Sequence, residues 1–235
     1  MRRGLSVVIA VLLKDLRAEI RSRETLVSMG AFALLTVVVF GLSFEPWFAA
    51  EVGGVEGERF AEVVAPGLLW IAFAFAGVLG LNRSFALERE SGAIYGLMLA
   101  PADRGAIYLG KTFANALFML VVEGLVFPVF VLLFNLDVWQ ALPRLAPVGI
   151  LGALAFSAAG TVFAAVAGHT SMRDIMLPFL LFPATAPVLV GAVEASGAAL
   201  RGSAEGYAGG LRLVAAFAVI YLTVSYLLFD YVLEE

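Results

Sequence analysis

The chain has 235 residues, of which 62% are hydrophobic and only 14% charged, and its mean hydropathy is +0.97. Soluble domains are roughly 45–50% apolar and about 25% charged, so this chain has too few polar side chains to cover a water-exposed surface. The composition predicts an integral membrane protein and excludes a soluble enzyme or a nucleic-acid-binding protein. The lack of cysteine excludes disulfides and thiolate metal sites, and the single histidine excludes a multi-histidine metal centre.

Six stretches are apolar enough to cross a bilayer as helices, because a helix needs about 20 residues to span the hydrocarbon core. Their residues do not alternate in polarity, which favours helices over the strands of a membrane β-barrel. The predicted spans are residues 28–44, 66–81, 108–134, 148–167, 175–193 and 211–231. The expected fold is an all-α integral membrane protein, with residues 1–235 forming one transmembrane domain of six helices.

The basic residues are distributed unevenly between the two sides that these spans define. Residues 1–27, 82–111 and 168–174 hold eleven of the 15 Lys and Arg side chains. Because Lys and Arg are retained on the cytoplasmic side, both termini are predicted to be cytoplasmic, in a multi-pass protein of the plasma membrane.

The segments outside the spans are short. Residues 1–27 place apolar side chains on one helical face and cations largely elsewhere, which predicts an amphipathic helix lying in the cytoplasmic interface of the lipid bilayer. Residues 194–210 are rich in Gly, Ala and Ser, and are predicted to form a flexible external loop or a short re-entrant element.

The connection over residues 82–107 is predicted to contain a short cytoplasmic helix that docks a partner. It combines apolar and aromatic side chains with a charged triplet, and exposed patches of this kind usually mark interaction sites. The candidate docking residues are Phe85, Glu88, Arg89, Glu90, Ile94 and Tyr95. The alternative is a helix lying flat on the lipid.

Residues 105–112 match the phosphate-binding expression GxxxxGK[ST]. That motif requires a strand before the loop and a helix after it. Here Pro101 to Arg104 precede the match and a membrane span follows, so we interpret the match as coincidental. Lys111 is instead expected to reach the cytoplasmic headgroups by snorkelling.

Glu123 lies in the middle of the third predicted span. An acidic residue there costs roughly 2.5–3.5 kcal/mol on insertion scales and is a functional candidate by default. It is either a group that lines a pathway or a carboxylic acid hydrogen-bonded between helices.

Two further patterns concern packing. Small residues recur every fourth position along residues 149–165 and predict close helix packing. Pro178, Pro183 and Pro187 remove amide donors from the fifth span and predict kinks, which serve either as hinges or as static irregularities.

The segment 14–29, together with the apolar run 32–40, resembles the start of the CcmB family, the membrane permease subunits of the ABC system for cytochrome c maturation. Residues 67–77, 82–85, 96–101 and 177–189 continue the resemblance, which covers most of the chain.

The resemblance implies a type-two ABC exporter permease that forms a homodimer and docks a separate ATPase, CcmA. It implies association with the membrane subunits CcmC and CcmD and release of the haem chaperone CcmE, or haem export in the older description. Residues 85–97 would match the family's coupling helix and residues 3–23 its elbow helix. No cofactor is expected on this chain, since ATP and magnesium would bind the ATPase and haem would be handled by partners.

Three alternatives remain open from the sequence, the last of which is a passive scaffold with no transport cycle. The first is an ABC permease that exports lipid, polysaccharide or a drug. The second is a secondary transporter that uses Glu123 as a proton site, although six spans are few for such folds and no inverted repeat is visible.

Overall fold

The computed structural model describes residues 2–49, 54–90, 103–168 and 172–232. In these residues the chain forms seven α-helices. They are α1 Arg2–Ser22, α2 Glu24–Ala49, α3 Gly54–Glu90, α4 Arg104–Leu133, α5 Leu142–Ala167, α6 Arg173–Leu200 and α7 Ala204–Val232.

Six of the helices are long and apolar enough to cross a membrane. These spans are Glu24–Phe44, Glu62–Ala86, Arg104–Leu133, Leu142–Ala167, Asp174–Leu200 and Ala204–Phe229. Each overlaps one of the six predicted stretches over most of its length, so the predicted all-α membrane fold is confirmed. The observed helices are longer because charged and small residues at their ends continue the same helical hydrogen bonding.

The spans run alternately in opposite directions. The beginnings of α2, α4 and α6 and the ends of α3, α5 and α7 therefore lie at one end of the bundle, here called the termini end. The ion pair between Glu24 and Arg83 and the hydrogen bond from Tyr226 to Asp103 join helices at this end. At the opposite end, the Arg201 guanidinium lies 3.4 Å from the Glu62 carbonyl oxygen.

Helix α5 lies at the centre of the bundle and contacts α3, α4, α6 and α7. Its predicted stripe of small residues is buried at Ala153, Ser157, Thr161 and Ala165. The Tyr108 hydroxyl donates to the Ala158 carbonyl at 3.0 Å, and the Asn115 amide donates to the Thr161 hydroxyl at 3.2 Å. The stripe therefore serves close packing against α4, as predicted.

The expectation of a loop or re-entrant element over residues 194–210 is wrong. Helix α6 continues to Leu200, helix α7 begins at Ala204, and only three residues connect them. Gly202 takes a φ of 70°, and the Ser203 amide donates to the Ala198 carbonyl at 2.9 Å, which is the hydrogen bonding of a Schellman motif. The small residues that suggested a loop instead let the two helices pack closely.

Candidate functional site

A buried ion pair joins three helices at the termini end. Lys111, in the second turn of α4, is only 2% exposed, and its Nζ lies 3.4 Å from Oδ2 of Asp15 on α1. The same ammonium lies 4.8 Å from the centroid of the Phe85 ring on α3, within the range of a cation–π interaction. The prediction that Lys111 snorkels to the headgroups is wrong, because α1 covers it and supplies a carboxylate.

Phe85 is 5% exposed and belongs to the hydrophobic core. The prediction that it is an exposed docking aromatic is therefore wrong. Residues 82–90 do not begin a separate short helix but continue α3, whose 37 residues extend beyond the membrane span at this end. Because the helical turn directs Phe85 towards α4, its ring packs beneath Lys111.

The other candidate docking residues follow Phe85. Glu88, Arg89 and Glu90 form the last turn of α3, so the charged triplet lies at the tip of this helix. Ile94 and Tyr95 lie outside the residues that the structure describes, as does most of the connection between α3 and α4.

Residues 105–112 form the first two turns of α4 and not a phosphate-binding loop. The Asp103 side chain caps the helix by accepting from the Gly105 amide at 3.0 Å, which places a carboxylate where a phosphate would bind. A Cβ on Gly110 would lie 2.9 Å from the Val8 carbonyl oxygen, so α1 crosses α4 at very short distance here. The structure therefore agrees with the interpretation that residues 105–112 match the phosphate-binding expression by coincidence.

The junction between α1 and α2 is held by Glu19, a residue that the sequence analysis did not single out. Glu19 is 3% exposed, and its Oε1 accepts from the Leu26 amide at 2.7 Å. Arg23, between the helices, takes a φ of 57°. A carboxylate at the start of α2 satisfies a free amide and faces the positive end of the helix dipole. The amphipathic α1 is thus fixed at a defined bend, and it leaves Leu5, Ile9, Leu13 and Ile20 exposed along one side.

A second feature lies in the half of the bundle away from the termini end. A cavity of about 300 Å³, open on one side, is lined by α3, α4, α5 and one residue of α6. Its walls are mostly apolar, and they include Trp70, Phe73 and Phe127. The Trp70 indole donates to the Ser196 hydroxyl at 3.0 Å, which fixes the ring against the cavity.

Glu123 lies in the wall of this cavity. Its side chain is 9% exposed, and its Oε1 has no hydrogen-bond partner among the residues that the structure describes. A Cβ on Gly149 would lie 3.0 Å from the other carboxyl oxygen, so the absent side chain of Gly149 leaves room for Glu123. Of the two interpretations made from the sequence, this geometry favours a lining group over an acid hydrogen-bonded between helices.

Pro178, Pro183 and Pro187 all lie inside α6, which remains helical through them. Two hydroxyl groups donate hydrogen bonds to backbone carbonyls in the middle of this segment. The Thr185 hydroxyl donates to the Leu181 carbonyl at 2.8 Å, and the Tyr221 hydroxyl of α7 donates to the Ala184 carbonyl. These bonds add to a helical ladder from which three amide donors are missing. The predicted kinks and the predicted role as a hinge both stay predictions for the segment from Pro178 to Pro187.

Among the described residues, no group of three carboxylate, imidazole or thiol side chains gathers where a metal ion could bind. Two features in the described residues bring a buried charged side chain into contact with three or more helices. They are the Asp15–Lys111 pair and the Glu123 cavity.

Comparison with known proteins identifies the family. The sequence model described as "CcmB protein" matches residues 6–234, nearly the whole chain. The chain belongs to the CcmB family. Relatives named "Heme exporter protein B" are 33% identical in Paracoccus denitrificans, over 79% of this chain and 80% of the relative, and 31% identical in Rhodobacter capsulatus, over 85% and 84%. The relative from Pseudomonas aeruginosa is 27% identical over 94% of both chains.

Membership of the CcmB family agrees with the resemblance seen in the sequence and with the six spans. The matched residues 6–234 include both the Asp15–Lys111 pair and the residues that line the Glu123 cavity. Sequence reasoning missed Asp15, Trp70 and Ser196, because their partners are distant along the chain and no local pattern indicates them. It also missed Glu19, whose partner Leu26 is only seven residues away but lies beyond the bend between α1 and α2.

Proposed function

We propose that this chain is the membrane permease subunit of an ABC transporter for haem export in c-type cytochrome biogenesis. The observation that carries the proposal is the family match over residues 6–234, together with relatives named as haem exporter proteins that it matches over most of their length. Six membrane spans in one domain suit a permease, and this family match favours it over a secondary transporter.

The termini end faces the cytoplasm in this proposal, and the membrane is the plasma membrane. The argument is the positive-inside rule, since eleven of the 15 Lys and Arg side chains lie in segments at the termini end. The exposed apolar side of α1 then rests in the cytoplasmic interface of the bilayer.

The chain is non-catalytic in this scheme, and a separate CcmA-like ATPase carries ATP and magnesium. The ATPase docks on the connection that begins with Glu88, Arg89 and Glu90 and continues through Ile94 and Tyr95. Helix α3 supports this assignment because it extends beyond its span towards that connection. Force applied there reaches α2 through the ion pair of Arg83 with Glu24, and reaches α4 through Phe85 and Lys111.

The remaining partners follow from the family. A homodimer of this chain would work with CcmC-like and CcmD-like membrane subunits, and ATP turnover would release a haem-loaded CcmE-like chaperone. Haem is handled by those partners and not bound as a cofactor of this chain.

The test is complementation of a deletion strain, scored by c-type cytochrome content, together with co-purification of the ATPase with the tagged chain. We expect the wild-type chain to restore cytochromes and retain the ATPase. Normal cytochromes in the deletion strain, or failure of an ATPase to co-purify from cells that mature cytochromes, would contradict the proposal.

The docking segment is tested in the same assay. Ile94→Ala and Tyr95→Ala should weaken capture of the ATPase, by about 2 kcal/mol or more for an anchor residue. Glu90→Gln should have a smaller effect, because charges at the rim of an interface influence encounter more than affinity. The matched control is Met172→Ala, since Met172 is 63% exposed at the same end of the bundle but outside this segment. If Ile94→Ala and Tyr95→Ala retain the ATPase as Met172→Ala does, docking occurs elsewhere.

A further inference from the structure

The cavity beside Glu123 has the features of a binding site for a small molecule. We propose that it binds an apolar amine, meaning a compound with a hydrophobic body and one amino group, that enters sideways from the bilayer. The proposal concerns the chain alone and does not depend on the proposed haem-export function.

The size and walls of the cavity set the hydrophobic part of the ligand. Small-molecule sites occupy roughly 300–1,000 Å³ and are lined mainly by apolar and aromatic groups with few polar ones. This cavity, at about 300 Å³, lies at the small end of that range. Trp70, Phe73 and Phe127 offer ring surfaces to a compact body, and the bond from Trp70 to Ser196 holds one of these rings in place.

The carboxyl group of Glu123 determines which polar group the ligand carries. It is nine-tenths buried and borders the cavity, and its Oε1 has no hydrogen-bond partner among the described residues. None of the residues lining the cavity is Lys, Arg or His. A buried carboxylate is costly unless a cation or a hydrogen-bond donor meets it.

An amine supplies what the protein lacks at this point. Its ammonium form donates charge-assisted hydrogen bonds to the carboxylate. The proton of the pair lies on the nitrogen, and the pair carries no net charge, so no further ion has to enter the membrane. A ligand bearing a carboxylate is disfavoured because two like charges would meet in an apolar site.

The entrance is on the side of the bundle. Gly124, Ala146 and Ile150 line the cavity and are exposed at the depth of the spanning segments. Gly124 has no side chain to obstruct the passage, and a Cβ placed there would meet no atom within 4 Å. A ligand dissolved in the bilayer therefore reaches Glu123 without crossing the end of the bundle.

The experiment compares phenylbutylamine with phenylbutanol, which has a hydroxyl in place of the amino group. Binding to the purified full chain in detergent is followed by the fluorescence of Trp70, with Trp47 and Trp139 replaced by Phe. We expect the amine to bind roughly ten- to a hundred-fold more tightly than the alcohol, the range of a hydrogen bond to a charged group. Glu123→Gln should abolish this preference while leaving the weaker binding of the alcohol.

Gly124→Leu tests the cavity independently of the carboxyl group, because it fills the entrance and keeps Glu123. Gly124→Leu should weaken the binding of both compounds at least about ten-fold, because it keeps apolar ligand surface out of the cavity and so removes much of the binding energy. Gly67→Leu is the control, as Gly67 also has open space at its Cβ but does not line the cavity. Thermal unfolding of each variant confirms that it is folded.

Three results would overturn the proposal. Equal affinity of the amine for the wild type and Glu123→Gln would show that the carboxyl group does not recognise it. Unchanged binding to Gly124→Leu would place the ligand elsewhere. Equal binding of amine and alcohol to the wild type would show a groove for lipid chains, without selection for the amino group.

Discussion

The ammonium of Lys111 lies 3.4 Å from the carboxylate of Asp15, although the two residues are 96 positions apart in the chain. Lys111 is 2% exposed and Asp15 10%, so the pair is shielded from water. Asp15 also contacts Lys14, at 3.0 Å, and Lys14 is 39% exposed. One carboxylate thus faces a buried cation from α4 and a partly exposed cation from its own helix, which fastens α1 to the bundle.

Replacing the shared carboxylate should therefore be costly. Asp15→Asn leaves the buried Lys111 without the Asp15 charge, and we expect the free energy of unfolding to fall by about 3–5 kcal/mol. The control Lys14→Met removes the partly exposed cation and should cost less than about 1 kcal/mol. Unfolding of both variants in detergent, against the wild type, measures the difference. Equal stability of the two variants would show that the buried pair contributes no more than the exposed one.

We expect Phe85→Ala to lower the stability of the folded chain, because Phe85 is a core residue and not an exposed docking residue. Removing a buried phenyl ring costs about 3–5 kcal/mol, and here the cation–π contact with Lys111 is lost as well. Phe179→Ala is the control, because Phe179 is 77% exposed on α6. Thermal unfolding should separate the variants clearly. A wild-type midpoint for Phe85→Ala would mean that the ring does not belong to the core.

A third prediction follows from the close contact between α6 and α7. A Cβ on Gly210 would lie 2.5 Å from the Gly191 carbonyl oxygen and 2.6 Å from the Ala195 amide nitrogen. Because backbone atoms cannot yield as side chains do, Gly210→Ala should destabilise the chain by about 1–3 kcal/mol. Gly209→Ala is the matched control. Its Cβ would meet only Glu194 Oε1, at 3.8 Å, so it should be neutral or stabilise the helix by up to about 1 kcal/mol.

How much of this could be predicted from the sequence depends on the range of the interactions. The six spans were predictable because each depends on the mean polarity of about 20 neighbouring residues. The small-residue stripe of α5 was predictable for the same reason, since its period appears within one helix. The loop over 194–210 was not, because Gly, Ala and Ser suit both a flexible loop and a closely packed pair of helices.

The candidate sites were less predictable, because distant residues decide them. Whether Lys111 reaches lipid or is buried depends on α1 lying across it, and Gly110 permits this by leaving space for Val8. The position of Glu123 in its span was readable from the sequence, but the cavity beside it is formed by four helices. Phe85 looked like an exposed aromatic because the sequence does not reveal that α3 continues through it.

The proline segment of α6 gives a prediction that separates a hinge from static packing. Pro183→Ala restores a backbone donor, and since Pro costs about 3 kcal/mol relative to Ala inside a helix, the thermal midpoint should rise. If the segment bends during the transport cycle, c-type cytochrome content should fall at the same time. Pro143→Ala, in the first turn of α5 where no helical hydrogen bond is lost, should change neither. A stabilised Pro183→Ala chain with normal cytochromes would show that the segment does not act as a hinge.

The helical geometry of residues 105–112 predicts that the purified chain hydrolyses no ATP. Asp103 caps the amides that would have to face a phosphate, and Lys111 is directed to Asp15. A phosphate-release assay on the chain without its partner ATPase should give the same background for the wild type and Lys111→Ala. Hydrolysis that depends on Lys111 would contradict this prediction.

The packing of Gly191 against Gly210 also determines where α6 is able to bend. The backbones are in contact there, and three residues join the helices just beyond, so this part of α6 moves together with α7. A hinge in α6 would therefore have to lie in the segment from Pro178 to Pro187, and Pro183 is about 15 Å from the start of the helix at a rise of about 1.5 Å per residue. A bend of about 10° at Pro183 displaces Arg173 by about 2.6 Å over that length. If the segment from Pro178 to Pro187 acts as the predicted hinge, only the termini end of α6 moves, while the opposite end stays fixed against α7.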